Sequence, residues 1–408
     1  MSERPALVLF DDDVARRWRP LATTRPVGEL RFGGLTLRER CERVFDLRCV
    51  GHLAPGLEGF DEEDAPHVLE RPPAGDAGVL YVSSRYVPAW AARFDPAAAA
   101  PVFFVAGEPV ACWAPPGAEP PEDRFFRAPA ANAPSPSGPE LPGAVLEHVW
   151  ELIARSPEQI GRDVAALFPG ASMPPLPDGV HGIGSAAIVL GAGVTIEPGV
   201  VIDVRRGPVR IEDDVAIRAF TRLEGPAWIA RGCTLLGGPF TAVSVGPVCK
   251  VHGEMEETLV LGYSNKAHDG FLGHAYVGRW VNLGALTTNS DLKNNYGRIR
   301  ISTADGDVDT GLTKLGCLLG DHVKTVIGTL LNTGTVIEAG SNVFGESAPA
   351  KYVAPFSWGD APAGYDIDKF LETARVVAER RERSLTPGVE RVLRELYDAA
   401  RRQVESGA

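Results

Sequence analysis

Branched apolar residues recur every six positions through much of the second half of the chain. Ile188, Val194 and Val200 open the series, and the spacing returns at Val209 and Val215, then at Ile217, Leu223 and Ile229. It appears again at Val277 and Leu283, and at Leu331, Ile337 and Val343, with Gly, Pro, Asp and Asn falling between. This period predicts a three-faced coil of short parallel strands, in which each branched residue packs inward at an equivalent place on successive faces. Small residues and turn formers then occupy the corners. A two-sheet sandwich of unusually short strands is the competing arrangement.

The rest of the chain patterns differently. ALVLF, residues 6–10, reads as a short buried strand, and LTLRERCERVF, residues 35–45, has helical spacing through Leu37, Cys41 and Val44. Residues 78–90 and 101–113 read as strand material. The α/β pattern defines a first domain over 1–113. Residues 114–143 are rich in Pro, Ala and Gly and read as a linker or loop. A connecting helix is expected over 144–175, broken near Ser156-Pro157. The coil is assigned to 176–360 and C-terminal helices to 361–408, with Ile367, Leu371, Ala374 and Ala378 forming one apolar stripe and Val389, Leu393 and Leu396 starting another. The ends of such a coil expose unpaired backbone, so these helices are expected to cap or pack against it.

Composition narrows the function classes. A formal net charge of -12 over 408 residues argues against nucleic acid or an anionic membrane as partner. Six scattered cysteines with no CxxC pair fit a reducing compartment. No apolar run reaches membrane-spanning length, and the charged start MSERPALVLF is a poor secretory signal, so a cytoplasmic location is expected.

The coil pattern is interrupted between Gly262 and Tyr296 by a segment dense in His, Lys, Asn and Asp. A coil wall does not need this nitrogen-rich chemistry, so a binding or catalytic site is expected there. A neutral imidazole suits proton abstraction near pH 7. Lys250 and Lys266, more weakly Lys293, and Arg218 and Arg222 from neighbouring coils are candidates for holding a substrate anion. Asn289, Asn294 and Asn295 have amides able to bond sugar or phosphate oxygens. Each charge has a plainer reading as a solvated surface group. A zinc site from His268, His274 and His322 is disfavoured, because Lys266 and Asn289 suit a sugar-phosphate pocket better.

Several segments resemble a known family: WRPLATTRPVGELRFGGLTLRER (18–40), GPVCKVHGE (246–254), YSNKAHDGFLGH through KNNYG, KLGCLLGDHVKTVIGTLLNTGT (314–335) and APFSWG (354–359). Together they resemble the divergent bacterial sugar nucleotidyltransferase and glucosamine-1-phosphate N-acetyltransferase family, related to the bifunctional enzyme that makes UDP-N-acetylglucosamine. The resemblance implies a small α/β nucleotidyltransferase-like N-terminal domain, a left-handed parallel β-helix of hexapeptide repeats and C-terminal helices. It implies acetyl transfer from acetyl-CoA to an amino-sugar phosphate. It leaves open whether the N-terminal domain then transfers a nucleotidyl group from a nucleoside triphosphate, UTP or dTTP, or is a decayed domain serving as scaffold or sugar-nucleotide sensor. It also implies a homotrimer.

On that resemblance His268, anchored by Phe271-Leu272-Gly273, is the general base. Asp269 is not its obvious orienting partner, because adjacent strand side chains point oppositely. Asn295-Tyr296 matches the family's Asn-Tyr pair, and Asn289 is an equal candidate by distance from His268. Gly328, Thr329, Asn332 and Thr333 are the implied wall of the acetyl-CoA groove, with Lys324 and His322 near its phosphates. Phe271 stands where the better-known enzyme has Tyr. In the N-terminal domain Arg17, Arg19 and Pro20 keep the family's flavour, but Asp11, Asp12 and Asp13 replace the phosphate-cradling glycines and Val27 replaces a Lys. The three acids are candidate magnesium (Mg2+) ligands. Arg17, Arg19, Arg25 and Arg31 are candidate phosphate partners, with Arg85 more weakly placed. Two alternatives stay open: a nucleotidyltransferase whose coil is non-catalytic, and a trimeric binding scaffold.

Overall fold

The structure is a computed structural model that describes residues 4–97, 101–127, 138–304, 306–345 and 348–406. Residues 128–137 of the expected linker lie outside that set. Two compact units emerge. One comprises residues 1–30, 35–149 and 384–395; the other comprises 31–34, 150–383 and 396–408.

The first unit is built on a five-stranded mixed sheet. Its order is Arg48–Leu53, Ala6–Phe10, Val79–Ser83, Glu108–Ala114 and Val102–Val105, all running one way except Glu108–Ala114, which is antiparallel to both its neighbours. ALVLF is central and buried on both faces, which is why it reads as a continuous apolar run. Leu7 and Leu9 join Cys41, Val44 and Phe45 of the helix Leu37–Phe45 in one cluster, while Val8 and Phe10 join Leu53, Val79 and Tyr81 on the other face. The helix starts at a capping box: Thr36 Oγ1 accepts from Glu39 N at 3.1 Å, and Glu39 Oε2 accepts from Thr36 N at 2.8 Å. The strand expected over 101–113 is a hairpin, turned by left-handed Ala106 and Gly107. Val392 packs with Ala54, Leu57, Phe60 and Val68.

The second unit is a parallel β-solenoid with three faces, whose sheets hold six, nine and eight short strands. Its interior is the column of branched residues found in the sequence. Ile188, Val200, Val209, Val215, Ile217, Leu223, Ile229, Val277, Leu283, Leu331, Ile337 and Val343 are all in one buried cluster, with Val194 packed against it. Each such side chain stabilises by about 1.5–3 kcal/mol on burial, and that sum sets the wall's register. The connecting segment is less helical than expected. Gly143–Val145 is a strand paired with Tyr86–Pro88, and helices run only over Glu151–Ala154 and Ser156–Leu167. C-terminal helices are present at Ile367–Glu379 and Pro387–Glu405, and Leu371, Ala374 and Ala378 of the expected stripe are buried.

The corners of the solenoid place non-glycine residues in the left-handed region. Val248, Tyr263, Trp280 and His322 occupy one kind of corner with φ from 55° to 63°. Tyr263 and Trp280 stack there at 4.6 Å. Glu257 (φ 42°) and His274 (φ 48°) occupy another, and the His274 amide donates to Glu256 O at 2.9 Å. Successive corners thus stack side chains above one another, and chemistry distant in sequence collects in columns.

Candidate active site

A cleft of about 370 Å³ opens on one corner of the solenoid, lined by Leu236, His252, Ala267, His268, Asp269, Ala285 and Leu286. His268 is exposed at this cleft. Asp269, also at the cleft, meets His252, with Oδ1 3.0 Å from His252 Nε2. Solenoid register explains the meeting. Val251 pairs with Lys266, so His252 stands one coil from Ala267 and beside the turn that carries His268 and Asp269. The sequence reading missed His252; its signal was the segment GPVCKVHGE taken together with the coil repeat.

Lys266 lies beneath this turn, 3% exposed. Its ammonium donates to the carbonyls of His268 and, at 3.3 Å, His252. Burial pushes its pKa down to about 8, against a smaller opposing pull from Asp269. The lysine thus holds the backbone of both histidines in place. Lys250 is exposed on the strand before His252.

Other sequence-selected residues fall elsewhere. Asn289 is 2% exposed and bridges the backbone of Gly273: its Oδ1 accepts from Gly273 N at 2.8 Å and its Nδ2 donates to Gly273 O at 2.9 Å. Its amide therefore closes a gap in the coil ladder. Asn295 accepts from Gly297 N at 3.1 Å in an exposed turn, Tyr296 is 73% exposed, and Lys293 donates to Arg298 O. Arg218 pairs with Glu197, and Arg222 with Asp203 and Glu224. Asp203 is held below the usual carboxylate range by its bonds to Arg205, reinforced by Arg222.

Along the expected acetyl-CoA wall, Gly328 has φ +77° and open space where a Cβ would stand. Thr329 donates to Val326 O at 2.8 Å, Thr333 is buried and Asn332 is exposed. Lys324 points inward, its Nζ 5.8 Å from the Phe370 ring, and burial lowers its pKa to about 8. The Gly328 turn is open to solvent, while Lys324 packs against Phe370.

In the first unit the acids after the first strand each meet a protein partner, although Asp11 Oδ1 is buried without a hydrogen bond. Asp11 Oδ2 accepts from Val27 N at 2.9 Å. Burial pushes the Asp11 carboxyl up to about 6, only partly offset by its bonds to Ser84 and Val27. Asp12 is gripped by Arg85: Arg85 Nε lies 3.0 and 2.9 Å from the two Asp12 oxygens and the Arg85 terminal nitrogen 2.7 Å from Oδ2. Asp12 Oδ1 also caps the amides of Val14 and Ala15. Asp13 pairs with Arg16. No cluster of the three acids with converging ligand atoms occurs among the described residues. As arranged, they do not fit a magnesium ion.

Arg85 is 1% exposed and also binds Glu108 at 2.6 Å and Leu146 O at 2.9 Å. Arg25 pairs with Glu62 at 2.6 Å, and Arg17 is exposed. Arg19 is half-buried. Arg31 belongs to the second unit, where it donates to Ser244 Oγ at 2.9 Å and Gly34 O at 2.6 Å. Nearby, Glu29 is buried with His52 Nε2 at 2.8 Å and Arg38 Nε at 2.5 Å. Burial alone raises the Glu29 pKa, but these two partners outweigh it and bring it to about 2.

Comparison with known proteins bears chiefly on the N-terminal part of the chain. The family model for sugar nucleotidyl transferases matches residues 7–171. A curated relative, the bifunctional sugar-1-phosphate nucleotidylyltransferase/acetyltransferase of Sulfurisphaera tokodaii, is 26% identical over 143 residues, covering 34% of this chain and 36% of the relative. The matched region thus spans about a third of that relative's length. The N-terminal unit is nucleotidyltransferase-like, the solenoid is a distinct domain, and the chain is weakly related to sugar-nucleotidyltransferase/acetyltransferase proteins. No helix among the described residues is long and apolar enough to cross a membrane.

Proposed function

We propose that the solenoid transfers an acetyl group from acetyl-CoA to the amino group of an amino-sugar-1-phosphate, glucosamine-1-phosphate being the first choice. The observation that carries this reading is the cleft in which exposed His268 stands beside a His252 held by Asp269. In the reaction the sugar nitrogen forms a bond to the acetyl carbonyl carbon and the carbon–sulfur bond breaks. His268 takes the proton from the attacking nitrogen and returns it to the departing thiolate. His252, whose Nε2 meets Asp269 Oδ1 and whose Nδ1 is buried, ties down the turn that carries His268. Lys266 keeps the turn rigid, and the open turn at Gly328 receives the pantetheine arm.

The nucleotidyltransferase match over residues 7–171 supports a second activity in the N-terminal unit: attack of a sugar-1-phosphate oxygen on the α-phosphorus of a nucleoside triphosphate, with loss of pyrophosphate. Exposed Arg17 is the side chain best placed to meet phosphate. A homotrimer completes the proposal, supported by exposed apolar side chains on the coil, Phe220 at 85%, Ile327 at 70%, Leu330 at 61% and Leu286 at 56%. Leu286 lines the cleft itself.

The test is a product assay on the purified chain with glucosamine-1-phosphate, acetyl-CoA, UTP and magnesium, every sugar product being identified by mass. N-acetylglucosamine-1-phosphate supports the solenoid reaction, and UDP-N-acetylglucosamine supports both. Absence of any acetylated sugar across a panel of amino-sugar phosphates overturns the acetyl-transfer reading.

A further inference from the structure

A second cluster lies on a different corner column of the solenoid, away from the residues lining the cleft. Glu256 ends the strand Glu254–Glu256, and Glu257 follows in the left-handed region. Side chains alternate along a strand, but this turn breaks the alternation and lets both carboxylates reach the same side. His274 stands one coil on, because Glu256 pairs with Gly273. One ligand atom each from Glu256, Glu257 and His274 lies within 4.8 Å of the others.

The imidazole is oriented for a ligand. His274 Nδ1 is 2.8 Å from Asp291 Oδ2, and that side chain is only 7% exposed. Asp291 therefore fixes the ring and leaves Nε2 as the atom directed at the two glutamates. Nε2 makes no hydrogen bond among the described residues. Its nearest carboxylate oxygen, Glu257 Oε2, is at 3.4 Å, well beyond a good charge-assisted bond of about 2.7–2.9 Å. A carboxylate on one ring nitrogen with the other facing donors is the arrangement that orients metal-binding histidines.

We propose that Glu256, Glu257 and His274 bind a divalent transition-metal cation of the zinc class, with Asp291 as the positioning residue of His274. Imidazole with carboxylates suits such ions, and three protein donors leave a position for water or a ligand. A cation about 2.0–2.2 Å from each donor draws the donors to roughly 3.4 Å apart. Glu256 and Glu257 can make that closure, since both are about a third exposed. Lys314 Nζ, 3.5 Å from Glu256 Oε1 and 45% exposed, is the competing cation and swings to solvent when the metal enters.

The test uses the full chain, stripped with chelator and titrated with zinc alone, then with cobalt for its ligand-field absorption. One saturable zinc per chain is expected, with a cobalt spectrum of a nitrogen and oxygen site. Glu257→Gln removes binding, and Asp291→Asn weakens it ten- to a hundredfold. Glu254→Gln, on an exposed neighbour, leaves it unchanged. His274→Ala also removes binding; should that variant not fold, Glu257→Gln at a part-exposed position decides. No saturable binding to the wild-type chain, or stoichiometric binding that survives Glu257→Gln, overturns the proposal.

Discussion

Asp269 Oδ1 lies 3.0 Å from His252 Nε2, so the carboxylate next to the candidate base in sequence serves a different histidine in space. Two imidazoles therefore share one cleft with different surroundings: His268 is exposed, while His252 has a carboxylate at hand. This division motivates separate roles. Asp269→Asn is expected to lower acetyl transfer by about tenfold to a hundredfold, less than loss of a general base, which removes about 10²–10⁴. Steady-state kinetics on the two substrates checks it. An unchanged rate would detach His252 from the chemistry.

Asn289 fills both hydrogen-bonding needs of Gly273 from a buried position. Asn289→Ala leaves a buried N–H and a buried C=O without that partner, at about 1–3 kcal/mol for each unsatisfied group. The expected loss is about 2–4 kcal/mol, read as a lower urea midpoint of the full chain. A variant as stable as wild type but inactive would make Asn289 a substrate contact instead.

Arg85 and Asp12 form a buried pair with three close contacts. Asp12→Ala strands the guanidinium, though Glu108 still reaches it, and is expected to cost about 3–5 kcal/mol. Pairing it with Arg85→Met removes the stranded charge, so the double variant should be more stable than Asp12→Ala alone. Equal or additive losses in the denaturation cycle would mean the pair is not coupled.

Two acids of the first unit give opposite pH signatures. The Glu29 pKa is brought down to about 2 in the fold, so its stabilisation is present above the ordinary value of 4.5 and is lost as pH falls toward 2. The Asp11 carboxyl is raised to about 6 from 3.8, so the folded state holds that proton more tightly than the unfolded chain. Its contribution is full below pH 3.8 and lost as pH rises to 6. Asp11→Asn is therefore expected to match or exceed wild-type stability at pH 7, with the advantage fading below about pH 4. Urea midpoints across that range, compared between the two proteins, check the sign.

The inward column of the solenoid was legible because each coil buries the same kind of side chain at the same place; Ile188 through Val343 announce it without any long-range information. The candidate cleft falls within reach of the polar segment that breaks the repeat, with His268 among its lining residues. Partnerships were harder to read. His252 meets Asp269, and Glu257 meets His274, only because corners of unequal length set the register between coils. The amides and charges of Asn289, Lys266 and Arg85 looked like substrate contacts, yet each is used on backbone or a buried counter-ion. Residue type alone does not distinguish a buried polar tie from a ligand contact, since both need the same donors. Residues 144–150 read as helix because their apolar spacing allows it; pairing of Gly143–Val145 with Tyr86–Pro88 overrides that preference.

The central claim is that His268 is the base of an acetyl transfer in this cleft. The direct measurement is the rate of acetyl-CoA-dependent acetylation of glucosamine-1-phosphate by wild type and His268→Ala, with the melting temperature of each. The account predicts a fall of about 10²–10⁴ in kcat at unchanged stability, since the side chain is exposed. An undiminished rate in His268→Ala contradicts it and removes His268 as the base.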